Sequence, residues 1–553
     1  MRIKRGLLAP SVIAGVALAT GGWLLQRGAS QEGNVYFQAR IFDEVLHHIS
    51  DRYVDPLEPS TLYRMAIDGL IYELGDPHTA FMTPEDYDAL RVQTQGEYAG
   101  IGSEIDVRDG WVTIVSPLPG SPSERAGLQA GDRIIEVDGR STRGWSSNDA
   151  VRELRGPKGQ PVELTVQRVG VEEPIRFRIV RDEIHIQSVP AKYLIEDGIG
   201  YVQLRAFSES TTDELRTAVQ ELRSQGARGL VLDLRRNPGG LLDQAISASD
   251  LFLGRGKVVA ELRGRTPDMN QKFTTTTEDR FEGMPIVVLV GPSTASAAEI
   301  LAGALQDHDR ALIVGERSFG KGLVQSLYRL PAGHWLKLTT ARWYTPVGRT
   351  IQRPFHVRED AEDGDERDSG AAKEREVFRT VGGRIVYGGG GITPDIEVEP
   401  ERLNEAELEF AQAVQRHGSR YRDVLYAYAI RYVHDHPELT PDFEVTPAML
   451  SGFYQALQDQ GIEVERRVFE GASRWISYDL GAEIALAKWN RETSQKRWNA
   501  EDPQIRVAVE LLREARTPDG LFAAADRYLE KHAPQAEPAA AVGHGTPDGD
   551  TRE

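Results

Sequence analysis

Apolar positions along the chain change their spacing several times, and each spacing predicts a different kind of element. Residues 42–74 place apolar side chains every three or four positions, with an interruption at Val54-Asp55-Pro56. This pattern predicts two amphipathic helices. Their apolar stripe comprises Leu62, Ala66, Leu70 and Leu74, joined by Met65, Ile67 and Ile71. From Glu97 to Asp182, short alternating runs separated by Gly, Pro and Asp predict a small β-rich domain.

Two longer apolar runs predict strands that each lead into a helix. The run "RGLVLDLRRNPGG" (228–240) predicts a buried strand and a Pro-Gly-Gly turn, followed by an amphipathic helix at 241–253. The run "MPIVVLVGPSTASAAEILAGAL" (284–305) repeats this plan with a strand, a turn and an alanine-rich helix. Strand-turn-helix units in series predict a layered α/β domain. Because 553 residues exceed what one hydrophobic core holds, we expect a multidomain protein.

The first thirty residues differ from the rest of the chain. Residues 1–5 carry three cationic side chains, and residues 6–26 carry no charge over a length sufficient to cross a bilayer. This pattern predicts export to the cell envelope or periplasm of a bacterium. Cleavage near Ala17-Leu18-Ala19 would release the protein, whereas an uncut segment would remain as a membrane anchor. The sequence leaves both alternatives open.

Charge and composition argue against several classes of partner and of chemistry. The net charge of -19 argues against nucleic acid, because neutralising phosphates requires a basic face. The absence of cysteine excludes disulfides, a thiolate nucleophile and a cysteine-ligated metal. We expect neither a metal nor a cofactor. The acidic stretch at about 356–377 predicts a solvated insertion, and the composition from Ala533 onward predicts a disordered tail.

The segment "GDPHTAFMTPEDY" (75–87) closes the predicted helical arm. His78 lies close to Asp76 in this turn, so one interpretation is a ligand or a base. The other interpretation is a structural histidine, which is favoured because nothing nearby completes a metal set.

Two serines, Ser293 and Ser296, lie where the strand at 285–290 gives way to its helix. Free N–H groups and the helix dipole favour negative charge there, so this turn suits a developing oxyanion. A serine becomes nucleophilic only when a base removes its proton. His308 cannot be that base, because it lies about 18 Å along the same helix at about 1.5 Å per residue. The alternative for Ser296 is a simple helix N-cap.

Lys321 is isolated between Gly320 and Gly322, whose backbone freedom allows a loop to place its amine. To act as a base it must lose its charge, which means lowering its pKa by roughly 3 from about 10.4, at a cost of about 4 kcal/mol. The apolar neighbours Phe319, Leu323 and Val324 suit such a site. Gln325 is a neutral side chain that orients an amine without restoring its charge. The alternative is an ordinary exposed Gly-Lys-Gly turn.

The segment Tyr98-Ala99-Gly100-Ile101-Gly102 contains two glycines that let successive N–H groups point at one anion, such as a peptide carboxylate. Together with "AGLQAGDRIIEVDG" (126–139), it resembles a PDZ domain. The resemblance implies that a peptide tail adds as a strand beside residues 101–105. Its last side chain would enter an apolar pocket near Val151 and Leu154. The alternative is a β-rich domain used only for packing.

The order of helical arm, PDZ segment, serine, lysine and glutamine resembles the C-terminal processing peptidases, or tail-specific proteases, of the serine-lysine type. The segments "FDEVLHHISDRYVD", "KLTTARWYTPVGRTIQ" and "GITPDIEV" carry the same resemblance. It implies that Ser296 is the nucleophile, Lys321 the general base and Gln325 the third member of the site. It also implies an oxyanion hole built from the backbone amides of Gly239 and Ala297. The implied fold is a layered ββα core of the crotonase/ClpP type, with an inserted PDZ domain and helical terminal arms.

The expected domain order is an export segment (1–30), a helical arm (31–95), a PDZ domain (96–185), a protease core (186–400), a helical domain (401–532) and a tail. In the family, terminal arms form homodimer contacts or dock adaptor proteins. The implied activity is an exported endopeptidase that recognises free, apolar C-termini. Two rival functions remain, an inert PDZ scaffold and a crotonase-type acyl-CoA enzyme. The presence of Ser296, Lys321 and Gln325 disfavours the scaffold, and the PDZ segment with the serine-lysine pair disfavours the acyl-CoA enzyme.

Overall fold

The computed structural model describes residues 35–353 and 375–532. The predicted export segment, most of the predicted acidic insertion and the predicted tail lie outside these ranges. None of the described helices has both the length and the apolar composition needed to cross a bilayer. In chain order the helices are α1 (Val35–Arg52), α2 (Pro59–Glu73), α3 (Pro84–Gln95), α4 (Pro122–Ala126), α5 (Ser147–Leu154), α6 (Thr211–Ser224), α7 (Leu242–Asp250), α8 (Ala297–Asp307), α9 (Glu405–Gln415), α10 (Arg420–Asp435), α11 (Pro447–Asp459), α12 (Arg466–Gly471), α13 (Ser473–Lys488), α14 (Arg491–Asn499), α15 (Pro503–Glu514) and α16 (Pro518–His532).

The strands, in the same order, form several separate sheets. They are β1 (Ala80–Met82), β2 (Glu97–Gly100), β3 (Ser103–Arg108), β4 (Trp111–Pro117), β5 (Arg133–Val137), β6 (Arg140–Ser141), β7 (Pro161–Gln167), β8 (Ile175–Val180), β9 (Asp182–His185), β10 (Ala191–Ile195), β11 (Ile199–Gln203), β12 (Gly229–Asp233), β13 (Val258–Gly264), β14 (Gln271–Thr274), β15 (Ile286–Val290), β16 (Leu312–Gly315), β17 (Leu323–Arg329), β18 (Trp335–Tyr344), β19 (Val377–Arg379), β20 (Ile385–Tyr387) and β21 (Ile396–Glu397).

The chain divides into two compact units. The first contains the residues up to Pro84 together with Gln325–Thr339, and the second contains Glu85–Val324 and the residues from Thr340 onward. In the first unit, β1 pairs antiparallel with the first half of β18, which places Phe81 opposite Leu336. This pairing brings the turn that precedes β1 next to the β17–β18 hairpin.

The apolar stripe predicted for the helical arm is only partly buried. Leu62 is 6% exposed, but Leu70 and Leu74 on the same stripe are 68% and 57% exposed. Helix α1 leaves Phe42 and Val45 similarly exposed. Within the described residues, the arm therefore presents an apolar surface that its own unit does not cover.

The second unit is built on a six-stranded sheet with the order β10-β11-β12-β15-β16-β21. All neighbours from β11 to β21 are parallel, and β10 is antiparallel to β11. Alternate residues of each strand face opposite layers: Leu230 and Leu232 pack with helices α6 to α8, whereas Val231 packs with α15 and α16. Buried side chains of β13 and β18 cover the far side of α6 to α8. This arrangement confirms the predicted layered α/β fold.

The carboxyl ends of three neighbouring strands carry the loops with the predicted catalytic segments. Strand β12 leads to the Asn-Pro-Gly-Gly turn, β15 leads to the serine turn, and β16 leads to the lysine loop. The strands are parallel and adjacent in the order β12-β15-β16. Their carboxyl ends therefore meet at one edge of the sheet, where α/β folds commonly place their sites.

The β-rich segment forms an antiparallel sheet with the order β3-β4-β5-β7-β8, packed with α4 and α5. The ribbon of β2 and β9 joins its two ends, with Tyr98 opposite Ile184. Helix α10 contacts this segment from the C-terminal region. The Gly131 N–H donates to the Tyr426 hydroxyl at 2.6 Å, and the Arg108 guanidinium lies 4.0 Å from the Tyr426 ring centre. The PDZ segment is thus attached at the ribbon and at α10.

Candidate active site

Ser296 precedes the first residue of α8 and adopts a strained backbone conformation, with φ 55° and ψ -116°. A positive φ is uncommon for a residue with a Cβ and persists only where surrounding contacts enforce it. One such contact is the Ala295 N–H, which donates to the Asn237 carbonyl at 3.0 Å. The Ser296 side chain remains half-buried at the carboxyl edge of the sheet, at the positive end of the α8 dipole.

Gly239 packs directly against the serine turn. A Cβ at this position would lie 2.9 Å from Ser296 Cβ and 2.8 Å from the Ala295 carbonyl oxygen, and its φ of 99° also requires glycine. The two predicted oxyanion donors differ in whether their N–H groups already have a hydrogen-bond partner. The Gly239 N–H donates to Asn237 Oδ1 at 2.8 Å, whereas the Ala297 N–H has no hydrogen-bond partner within the described residues.

A single carboxylate, that of Glu299, joins the serine turn to the lysine loop. Its Oε2 accepts the Ser296 N–H at 2.8 Å and the Lys321 N–H at 2.9 Å. Its Oε1 accepts the Gly320 N–H at 2.7 Å and the Ser318 hydroxyl. Because one oxygen atom accepts both amides, the backbones of Ser296 and Lys321 are held in adjacent positions.

The other side of the lysine loop is fixed by two residues from distant segments. The buried Trp343 donates its Nε1–H to the Lys321 carbonyl at 3.0 Å, and Gln352 Oε1 accepts the Gly322 N–H at 2.8 Å. Gly320 has a φ of 90°, as expected for its predicted conformational role. Gly322 serves a different purpose, because a Cβ there would lie 3.0 Å from the Gln352 backbone nitrogen.

Burial raises the pKa of the Glu299 carboxyl, and the hydrogen bonds from Ser318, Lys321, Gly320 and Ser296 oppose that rise. The side chain is completely buried. Only the ionised form has acceptor sites for all four donors, since a protonated carboxyl must find an acceptor for its own proton. Sequence reasoning missed this residue, although "SAAE" (296–299) is the Ser-x-x-Glu pattern of a capping box.

His308 lies at the opposite end of α8, as the helix length predicts. Its Nε2 is 2.7 Å from the Val258 carbonyl oxygen, so this nitrogen carries the proton and donates. Burial lowers the pKa of the His308 imidazole. The residue therefore has a packing role at the end of the helix.

Gln325 belongs to the first unit. Its Nε2 donates to Thr339 Oγ1 at 3.2 Å, across the hairpin formed by β17 and β18. The amide orientation of a glutamine is set by its hydrogen-bond partners, so Thr339 determines which end of the Gln325 side chain remains available.

Only part of the predicted peptide-binding segment has an open backbone, because Tyr98, Ala99 and Gly100 pair with β9. The amides of Ile101 and Gly102 have no partner within the described residues, while Gly102 has φ 75° and a Cβ there would lie 2.4 Å from Ser121 Cβ. Among the described strands, β3 pairs only with β4 in its sheet, so its other edge has no strand partner there. Near this segment, the Arg155 guanidinium lies 4.4 Å from the Tyr98 ring centre.

The two predicted pocket residues of the PDZ segment lie on α5. Val151 is half-buried, and Leu154 is 4% exposed within the core of the segment. Leu154 therefore belongs to the core and not to an open pocket, and Val151 is the more accessible of the two.

Comparison with known proteins identifies the family to which the chain belongs. Residues 198–362 match the family model of Peptidase family S41, and residues 113–168 match that of the PDZ domain. The carboxy-terminal-processing protease of Bartonella bacilliformis is 40% identical over 346 residues, covering 62% of this chain and 79% of that protein. The chain belongs to the carboxy-terminal-processing protease family.

Further members of the carboxy-terminal-processing protease family are also similar. The carboxy-terminal processing protease CtpA of Bacillus subtilis is 37% identical over 311 residues, covering 56% of this chain and 66% of that protein. Among solved structures, a photosystem II D1 C-terminal processing protease has 29% identity and a TM-score of 0.35, covering 67% of this chain and 88% of that one. Membership confirms the predicted family and the serine-type peptidase class. The roles of Ser296, Lys321 and Gln325 remain predictions.

We expect Glu299→Gln to lower kcat by about 100-fold, because an amide cannot accept all four donors and the two loops would separate. Glu278→Gln is the matched control, since Glu278 lies on the surface with its side chain 77% exposed.

Activity of the wild-type enzyme should also fall as the pH drops through the raised pKa of Glu299, above the ordinary value of 4.5. Steady-state kinetics across pH measure both effects, and an unchanged kcat in Glu299→Gln would contradict the positioning role.

Proposed function

We propose that this protein is an endopeptidase in which Ser296 is the nucleophile, Lys321 the general base and Gln325 the third member of the site. The observation that carries the proposal is the Glu299 carboxylate, which accepts the backbone N–H groups of both Ser296 and Lys321. A nucleophile and its base need such adjacent placement, because proton transfer requires hydrogen-bond reach.

In the proposed reaction, Ser296 Oγ attacks the scissile carbonyl while the neutral Lys321 amine takes the serine proton. The amine then gives this proton to the leaving nitrogen, and water activated by the same lysine hydrolyses the acyl-enzyme. The Ala297 N–H and the α8 dipole stabilise the oxyanion. Gly239 supplies the second donor when the oxyanion replaces Asn237 Oδ1 as the acceptor of its N–H.

Ser296→Ala and Lys321→Ala should each abolish peptide cleavage without loss of folding, and the double variant should be no worse than either single variant. The rate in the wild type should rise with pH as the amine base loses its proton. His308→Asn is the control and should keep its activity, since His308 lies at the far end of α8. Cleavage of an unfolded protein substrate measures all variants. Activity retained in Lys321→Ala would contradict the assignment, and an inactive wild type would favour the inert scaffold.

We propose that the PDZ segment selects substrates by a free C-terminus. The unpaired amides of Ile101 and Gly102 suit a carboxylate, and the open edge of β3 suits an added peptide strand. The half-buried Val151 on α5 would contact the last apolar side chain. In this arrangement residues 96–185 bind the C-terminus of the substrate, and residues 186–400 form the protease core.

Substrates that differ only in a free or an amidated C-terminus test this selection. The free tail should be cleaved faster, because amidation removes the charge that the amides of Ile101 and Gly102 would bind. Binding of both tails to the inactive Ser296→Ala variant separates recognition from chemistry. Equal cleavage rates and equal affinities would show that the PDZ segment does not read the terminus.

We further propose that the helical arm is a contact surface for a second copy of the chain. Its exposed apolar residues, among them Met65, Leu70 and Leu74, form the kind of patch that marks protein interaction sites. An adaptor protein is the alternative occupant. The predicted export segment precedes this arm, and cell fractionation with a reporter fused after Ser30 tests whether the chain leaves the cytoplasm.

Sedimentation equilibrium of the wild type should show self-association, and the double variant Met65→Glu/Leu70→Glu should weaken it because charges would be buried in an apolar interface. Ser60→Glu, which adds charge at an exposed polar position of α2, is the control. A wild type that remains monomeric at every concentration would contradict self-association.

A further inference from the structure

The turn at 75–79 in the first unit is connected to Gln325 by a continuous chain of hydrogen bonds. The Thr79 hydroxyl donates to Asp76 Oδ2 at 2.6 Å, and the His78 N–H donates to Asp76 Oδ1 at 2.9 Å. Thr79 Oγ1 in turn accepts the Thr339 N–H at 3.2 Å, and Thr339 Oγ1 accepts the Gln325 Nε2–H at 3.2 Å. The chain therefore begins at a carboxylate and ends at the side chain proposed to assist the base.

The Asp76 carboxylate fixes the direction of the Thr339 hydroxyl. Burial raises the pKa of Asp76, but hydrogen bonds from the Thr339 and Thr79 hydroxyls and the His78 amide outweigh burial and hold that pKa below its ordinary value. An ionised carboxylate only accepts hydrogen bonds, so Thr339 must donate its single hydroxyl proton to Asp76.

A hydroxyl that has donated its proton can only accept from its next neighbour. The neighbour of Thr339 is the Gln325 amide, which must therefore turn its NH₂ group towards Thr339. The opposite orientation would place two oxygen acceptors against each other. The Gln325 carbonyl oxygen, which has no partner among the described residues, is then the end of the side chain available for chemistry.

We infer that Thr339, held by Asp76 and Thr79, is a positioning residue that fixes the amide orientation of Gln325 and presents its carbonyl oxygen as an acceptor. The inference rests on the proposed function, in which Gln325 orients the amine of Lys321. A carbonyl oxygen accepts a hydrogen bond from an amine N–H and so directs the nitrogen lone pair, whereas an NH₂ group repels an ammonium. The turn "GDPHT" acquires a role through Asp76 and Thr79.

The test compares Thr339→Val with Thr339→Ser, each in the wild-type chain and in a Gln325→Ala background. Valine has the shape of threonine but lacks the hydroxyl, so the Gln325 amide loses its fixed orientation. We expect Thr339→Val to lower kcat about 10-fold with KM unchanged, and Thr339→Ser to stay near the wild-type rate. Thr61→Val, at an exposed position of α2, is the matched control for the loss of a hydroxyl.

The Gln325→Ala background separates positioning from general damage. With no amide left to orient, Thr339→Val should cause no additional loss of kcat, because the two residues act as one unit. An equal loss in both backgrounds would show a merely structural role and overturn the inference. A wild-type rate in Thr339→Val would overturn it as well, provided that Gln325→Ala is defective. A fully active Gln325→Ala would instead refute the proposed role of Gln325, and the inference with it.

Discussion

One buried carboxylate holds together the two loops on which the proposed chemistry depends. Glu299 accepts two backbone N–H groups from the lysine loop and one from the serine turn, and it also accepts the Ser318 hydroxyl. The free energy cost of burying this charge is offset only when every acceptor site is used. The interaction is therefore cooperative: the loss of either loop leaves the carboxylate without enough donors.

The sheet makes this interaction possible because it brings the serine turn and the lysine loop to the same edge. Parallel strands β12, β15 and β16 end side by side, so three loops that are distant in sequence become neighbours in space. Gly239 permits one of these close approaches, because any side chain at this position would overlap the serine turn. Backbone contacts between these loops therefore assemble much of the site.

The residue patterns predicted the layered sheet, the serine turn and the lysine loop, because each has a local signature. Apolar runs followed by glycine-rich turns mark the strands, and the glycines on either side of Lys321 mark its loop. Glu299 carried a capping-box signal, but the same signal occurs at helices without catalytic function. The contributions of Trp343 and Gln352 have no local signature, since they reach the lysine loop only through tertiary packing. The exposure of Leu70 also escaped prediction, because periodicity identifies an apolar face but not the element that covers it.

The backbone of Ser296 reveals a conflict between the stability of the fold and its proposed chemistry. At a φ of 55°, glycine would be accommodated without steric cost, whereas serine is strained by its Cβ. The hydroxyl is thus retained at a position where the most stable residue would lack any side chain. Selection for thermal stability alone would favour glycine at this position, so under the proposed function the serine is kept for its reactivity at a cost to folding.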